Sequence, residues 1–443
     1  DSNRRLVDPS TGAAVPVEVV RELRGYRVQR FLARDVPGFG YRTYRVERLP
    51  ETPPPAPRPH QNSWQIESRY YRVTFDHQTG AIASIFDKEL GRELADTGAP
   101  YKLNQLVYVS GGDKSRLMQA QAYYKPPQFD ISSSYGASLI ENNGKRIVVR
   151  AQARTVPEIE TEVTVYDDLK RVDIVNRLRK EAVRDKEAVY FAYPFGVKPP
   201  VLAVQIQNTW VRPNVDQLPG ACRDWFTTQN VVVARDQGAA IAWATPDAPL
   251  VTLTDINRGL WMKHLNVTNG HIYSYPMHNY WFTNYKADQS GNFTFRYAIT
   301  SAAQLSPAEL SRFDADTRRP LVGYEYYDTG NVKLTPVKRR MPEASGEFFK
   351  IDSAHATVAS FKQAEDGRGY ILRLQETGGQ KGVAKFSSPV FPLASVQLAN
   401  GVEDGKAPLA VKNGAVEIPL QPWNYTTVRI AFAPAAAAPQ AKK

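Results

Sequence analysis

The stretch Ile66 to Asp96, IESRYYRVTFDHQTGAIASIFDKELGRELAD, decides how the rest of the chain is read. Tyr71, Val73 and Phe75 alternate with Arg72 and Thr74, the period-two pattern of a half-buried strand. Asp76-His77-Gln78-Thr79-Gly80 then supplies turn chemistry, with Gly80 free to take positive φ. Ala81 to Phe86 reads as the returning strand, stopped by Asp87-Lys88-Glu89 and Gly91. The pattern predicts a hairpin, the first of a large antiparallel sheet.

Around it, the 443-residue chain has room for two or three domains with sizeable cores. Apolar residues at 42% and charged residues at 23% are ordinary globular values and argue against wholesale disorder. With 23 Tyr, 18 Phe, 28 Gly and 32 Pro, the mixture favours strands and turns over helices. Cys222 is the one cysteine, which excludes an internal disulfide framework and any multi-cysteine metal site. That fits a reducing compartment, but exported bacterial enzymes also lack disulfides, so the compartment stays open. No apolar run is long enough to span a membrane as a helix. The net charge of +11 is spread among acidic residues without a basic stripe, so a solvated basic surface is expected and not a nucleic-acid partner. The opening at Asp1-Ser2-Asn3 carries no signal peptide and reads as the tail portion of something longer.

Residues 1–49 hold strand-like fragments at Tyr26 to Ala33 and Tyr41 to Val46, with a Pro-Gly turn between them. Pro50 to His60 carries six prolines and reads as an extended spacer, with a proline-rich partner motif as the alternative. From Gln61 onward strand follows strand: Asn104 to Tyr108, Arg146 to Ala153, Thr161 to Tyr166 and Arg171 to Leu178, the last two joined by the turn Asp167 to Lys170. A polar insert runs from Gly111 to Arg116. Few segments show sustained helical periodicity; Pro307 to Phe313 reads as a short helix begun by Ser306 as N-cap. Beyond Asp316, strands at Ala356 to Phe361, Tyr370 to Leu374 and Val428 to Phe432 alternate with Gly378-Gly379, Asn400-Gly401 and Asn413-Gly414, expected to be tight hairpin turns. About 100 residues of short strands predict an immunoglobulin-like sandwich.

The opening stretch resembles the start of the C-terminal β-domain of glycoside hydrolase family 38, the retaining α-mannosidases. The match lies in Glu67-Ser68, Tyr71, Val73, Phe75-Asp76, Thr79-Gly80, Ile82, Ser84-Ile85 and Asp87-Lys88-Glu89. Ala33, Val36-Pro37, Gly40-Tyr41 and Thr43-Tyr44 resemble the family's close of a small β-domain, and Tyr166 to Ile174 a further family stretch. The resemblance covers nearly the whole chain but only the family's non-catalytic half. It implies an all-β chain: a large antiparallel β-supersandwich, galactose mutarotase-like, flanked by smaller β-sandwich domains. The expected boundaries are 1–49 for the end of a small β-domain, 50–60 for the linker, 61–305 for the supersandwich, 316–434 for the C-terminal sandwich, and 435–443 for a disordered tail.

Three clusters could carry chemistry. Ala221 to Asn230 resembles a D-W-F-x-x-Q motif of the family; Asp224 could bind sugar hydroxyls while Trp225 or Phe226 stacks on a ring, or the segment is a structural corner. Asp247 to Val251 matches a typical family strand, and Arg258-Gly259-Leu260 is similar to a loop that brings an arginine into the mannose site. A surface ion pair is the alternative for Arg258. Pro276 to Gly291 resembles the family's N-x-Y-W-x-T-N-Y-K-A-x-Q-x-G run, though Asn279 and Tyr280 are adjacent here, one residue closer. Its aromatics and amides suit either carbohydrate contacts or a well-satisfied β-corner. His264, His271 and His278 recur every seven residues, but odd spacing on a strand puts neighbours on opposite faces and no carboxylates cluster with them, so no metal site is expected. Asn266, Asn292 and Asn424 match short glycosylation patterns of low specificity.

A retaining glycosidase needs two carboxyls about 5 Å apart. In the resembled family the nucleophile and the zinc ligands lie in an N-terminal β/α barrel marked by His-x-Asp, and this chain has no His-x-Asp. The implied function is therefore the C-terminal, non-catalytic β-portion of an α-mannosidase-like hydrolase. It braces the catalytic barrel of the same enzyme and lines the rim of an α-mannoside site with Asp224, Arg258, Asn279 and Tyr280. No cofactor is expected in this chain, with zinc in the absent barrel. The rivals are a stand-alone carbohydrate-binding or scaffolding module, and a sugar epimerase or lyase, which would need a His and a Glu converging on one concave sheet face.

Overall fold

The computed structural model describes residues 4–23, 26–49, 61–111, 129–207, 209–256, 262–280, 288–325 and 341–433. The proline-rich linker 50–60, most of the polar insert, Arg258-Gly259-Leu260, the run 281–287 and the tail 435–443 lie outside the described residues. The chain forms two compact units: Arg58–Leu321, and Asp1–Pro57 together with Val322–Lys443.

The opening hairpin forms where the alternation places it. Tyr71–Phe75 pairs antiparallel with Ile82–Asp87, and Tyr71, Val73 and Phe75 are buried while Arg72 is exposed. Asp76 builds the turn, its Oδ1 accepting from the amides of Gln78 and Thr79 and from the Thr79 hydroxyl. Gly80 takes φ +71, and a Cβ there would lie 3.0 Å from Val149 Cγ1. The hairpin does not open the large sheet, however. It belongs to a separate four-stranded sheet with Gln65–Glu67 and Arg92–Glu93. These short neighbours occupy both edges, and the single bridges Ile82 to Leu103 and Ala95 to Phe195 continue the backbone pairing beyond them.

Two larger sheets make up the rest of this unit. The nine-stranded sheet runs, in spatial order, Tyr135–Asn142, Arg146–Ala153, Val156–Val165, Val172–Lys180, Gly291–Ala302, Ala240–Ala244, Val231–Arg235, Val201–Ile206 and Thr209–Val211. The six-stranded sheet runs Phe129–Ser133, Gln105–Gly111, Glu187–Phe195, Gly270–His278, Leu250–Leu253 and Phe226–Thr227. One apolar core joins them, with Val149, Val163, Ile174 and Trp243 from the first and Leu106, Val189, Phe191 and Ile272 from the second. This is the two-layer burial expected of alternating strands. Inside it, the amides of Asn104 and Asn176 donate to each other at 2.9 and 2.7 Å, and the hydroxyls of Thr161 and Tyr193 donate to their oxygens. A satisfied polar knot of this kind fixes the register of the two sheets.

The outer face of the nine-stranded sheet receives the helix Pro307–Arg318, whose Leu310 and Phe313 pack on Val231, Val233, Ala242 and Ala244. Ser306 caps it as read, in a reciprocal capping box with Glu309. The helix extends five residues past Phe313 because Asp314 Oδ1 accepts from Asn230 Nδ2 and Arg318 Nε, anchoring the last turns.

The other unit holds a sandwich whose four-stranded sheet (Lys350–Asp352, Gly382–Ser387, Ala415–Leu420, Val411–Lys412) and five-stranded sheet (Ala356–Gln363, Tyr370–Glu376, Tyr425–Phe432, Leu393–Ala399, Gly405–Leu409) share a core of Leu372, Phe386, Ile418 and Val428. Gly40–Arg42 pairs with Ser345–Glu347, which joins the N-terminal residues to it. Asn413 and Gly414, at φ 50 and 73, make the tight hairpin turn expected of them. Gly378-Gly379 does not: it carries the chain from one sheet to the other. There both glycine amides and the Trp423 amide donate to the buried Glu376 carboxylate. A Cβ would meet His355 at Gly378 and the Trp423 ring at Gly379, both at 2.6 Å, so only glycine fits.

Candidate functional site

Where strands alternate, every second side chain of the six-stranded sheet points away from the sandwich core. On Glu187–Phe195 these are Ala188, Tyr190 and Ala192, and on Gly270–His278 they include Tyr273 and Tyr275. A bulge changes the phase of the second strand. Val189 pairs with Met277 and Phe191 with Ser274, so one strand advances two residues while its neighbour advances three. His278 thereby joins the outward face and stacks on Tyr275 at 5.0 Å, while Tyr275 stacks on Tyr190 at 4.3 Å and 6°. His271 lies edge-on to Tyr273 near the other end of the same strand. The even-odd argument that separates His271 from His278 fails at this bulge.

Around this ladder pack Tyr101, Phe129, Ile131, Trp225, Leu250 and Tyr280. Among the described residues, three polar atoms there are buried without a hydrogen-bond partner: Trp225 Nε1, His278 Nδ1 and Tyr280 Oη. Buried polar groups are ordinarily paired, so three such atoms close together on one aromatic face make it the candidate site. Burial lowers the His278 pKa and keeps its ring neutral, and burial likewise raises the Tyr280 hydroxyl well above its ordinary value. The face thus presents donors and acceptors that carry no charge, beside flat rings. His271 Nε2 donates to Asp96 Oδ2 at 2.9 Å. Burial acts to raise the Asp96 carboxyl, but hydrogen bonds from His271 and the Gly98 amide outweigh it and hold it below the ordinary carboxylate value.

The four sequence-predicted residues fall differently. Tyr280 sits on this face, edge-on to Phe129 at 5.9 Å. Its neighbour Asn279 is 6% exposed, and its amide is committed to backbone: Oδ1 accepts from Glu187 N at 2.6 Å, and Nδ2 donates to Val183 and Asp185 carbonyls. Asp224 is 4% exposed and accepts from the Met262 amide at 3.4 Å, beside the edge strand Phe226–Thr227. Leu250–Leu253 lies between that edge strand and Gly270–His278, so Asp224 and Asn279 flank strands that are not neighbours in the sheet. Arg258 lies outside the described residues. Sequence reading missed Tyr190, Tyr273 and Tyr275, and weighed His278 only as a metal ligand and as part of the Pro276 to Gly291 run. In a strand buried along its whole length nothing alternates, and the bulge leaves no local signature.

Two chemistries can be weighed on this geometry. Glu187, on the strand beside His278, alternates with Ala188 and turns to the sandwich interior, where Lys180 Nζ donates to it at 2.6 Å. It does not converge with His278. Among the described residues no three His, Cys, Asp or Glu side chains group to hold a metal ion.

Comparison with known proteins adds the following. Residues 66–217 match the glycosyl hydrolases family 38 C-terminal domain, starting on the first residue of the opening stretch. Residues 355–428 match the glycosyl hydrolases family 38 C-terminal beta sandwich domain. No curated protein matches the chain by sequence. An α-mannosidase from Enterococcus faecalis V583 superposes over 97% of this chain and 51% of its own, at 14% identity and TM-score 0.66. A second family 38 protein from Enterococcus faecalis superposes over 97% of this chain and 52% of its own, at 14% identity and TM-score 0.68. The chain spans about half the length of these structures. The fold they share is an all-β supersandwich with an additional β-sandwich.

Proposed function

We propose, for a chain that belongs through these two regions to the C-terminal domains of glycosyl hydrolase family 38, that it is the β-portion of an α-mannosidase-like enzyme. Its partner in that enzyme is a catalytic barrel carrying zinc and the reacting carboxyls, and its ligand is an α-mannoside. The observation that supports this reading most is the superposition of nearly the whole chain on one half of an α-mannosidase.

In this reading the outward face of Glu187–Phe195 and Gly270–His278 is the surface turned to the mannoside and the barrel. The orphaned polar atoms of Trp225, His278 and Tyr280 receive partners there, from sugar hydroxyls or from barrel groups. Asn279 serves by holding the 183–187 loop so that Tyr280 keeps its place, and Asp224 by holding the segment that carries Trp225. Arg258 keeps its sequence-based role as a sugar contact. These residues position and bind, while the electrostatic stabilisation of the reaction comes from the barrel. A stand-alone carbohydrate-binding module would use the same face without a barrel.

The test is made on a polypeptide that joins this chain to a family 38 catalytic portion. Arg258→Ala and Tyr280→Phe should each lower kcat/KM for an aryl α-mannoside by about tenfold, the worth of one binding contact, with zinc content unchanged. Unchanged turnover in both variants would remove the chain from the rim of the site.

A further inference from the structure

The outer face of the nine-stranded sheet, on the far side of the sandwich core from the aromatic ladder, carries a cleft that the reading above does not use. It opens beside the first turn of the helix Pro307–Arg318 and has a volume of about 600 Å³, within the roughly 300–1,000 Å³ typical of small-molecule sites. Ala203, Val233, Ala240 and Leu310 give it an apolar floor. Trp210, half-buried, lines one wall, and Arg212, Asp216, Arg235, Gln237 and Gln304 complete the lining.

From this arrangement we infer an accessory carbohydrate-binding cleft that takes a neutral di- or trisaccharide. The charges at the cleft are largely matched within the protein. Arg212 Nε donates to Asp216 at 2.9 Å, and Arg92 Nη2 donates to Asp236 at 2.6 Å. A cation would have to break such a pair and an anion would find a single guanidinium outside them, that of Arg235, whereas a polyol can use the whole lining. Arg235 is exposed and makes no ion pair among the described residues, so its fork of donors is open to hydroxyl oxygens. Gln237 and Gln304 are exposed and each offers an acceptor and two donors, the combination that reads a hydroxyl in either role. Trp210 supplies the flat apolar surface on which the C–H face of a pyranose packs. The floor of small aliphatic side chains keeps the cleft open without filling it. The site stands on its own geometry, and only the choice of mannosides as probes rests on the function proposed above.

The experiment titrates the 443-residue chain with α-linked mannobiose and mannotriose by calorimetry. Saturable binding is expected, weakened about tenfold by Trp210→Ala through loss of stacking. Because Trp210 also packs on the helix, Gln237→Ala and Gln304→Ala supply a second reading at exposed positions, with about threefold weakening expected from each lost hydrogen bond. Tyr280→Phe separates the two sites. Binding that keeps its affinity in Tyr280→Phe and is weakened in Trp210→Ala and Gln304→Ala supports the cleft. Binding that is weakened in Tyr280→Phe and untouched by the cleft variants overturns the cleft and leaves the aromatic face as the sugar site. No binding by the unaltered chain also overturns it, without bearing on the proposed enzyme.

Discussion

Asn279 and Tyr280 are neighbours in the chain and opposites in their bonding. The Asn279 side chain makes three hydrogen bonds to backbone groups of residues 183–187, while the Tyr280 hydroxyl is buried with none among the described residues. Replacing Asn279 by Ala leaves those backbone groups unmatched and should destabilise the chain by about 2–4 kcal/mol. Tyr280→Phe removes an atom that nothing satisfies and should change stability by no more than about 0.5 kcal/mol. Urea denaturation of both variants checks the contrast, and equal losses would contradict it. This is also where sequence reading reached its limit at the residue scale. An amide beside an aromatic is the composition of a sugar contact and of a β-corner alike, and only the register of Glu187–Phe195 against Gly270–His278 separates the two roles. Asp224 and Trp225 divide in the same way, the carboxylate inside and the ring on the face.

At the scale of elements, alternation and caps were legible while sheet membership was not. Tyr71–Phe75 and Arg146–Ala153 lie where period-two patterning places them, and Ser306 begins the helix. Which sheet a strand joins depends on long-range pairing that no local pattern encodes. The opening hairpin accordingly sits in its own small sheet. That sheet is held to the larger one by Arg92, whose two terminal nitrogens donate to both oxygens of Asp236. The Asp236 carboxylate, 4% exposed, also accepts from the amides of Lys198, Gly238 and Ala239. The Arg92 hydrogen bonds, with those amides, hold its pKa far below the ordinary 3.8. A carboxyl depressed on folding contributes stability that is full above its unfolded pKa and is lost as pH falls from there towards the folded pKa. Asp236→Asn should therefore be less stable than the parent at pH 6. It should also lose less stability than the parent between pH 5 and pH 3, an interval of about two units across the unfolded carboxylate value. Parallel stability profiles over that interval would show that the Arg92–Asp236 tie carries no such linkage.

At the scale of the whole molecule, the all-β class and the two family domains were readable from turn chemistry, aromatic strands and the motif at Ile66. The aromatic ladder was not, because it is assembled from two strands with a bulge between them. The central claim is that this chain binds and positions for a catalytic portion and supplies none of the reacting groups. One measurement tests it most directly: turnover of an aryl α-mannoside by the chain alone and by the chain joined to a family 38 catalytic portion, with bound metal determined by elemental analysis of each. The account predicts no turnover and no stoichiometric zinc for the chain alone, and zinc-dependent turnover for the joined protein. Stoichiometric zinc in the chain alone, with turnover abolished by a chelator, would contradict it and place a complete active site within these 443 residues.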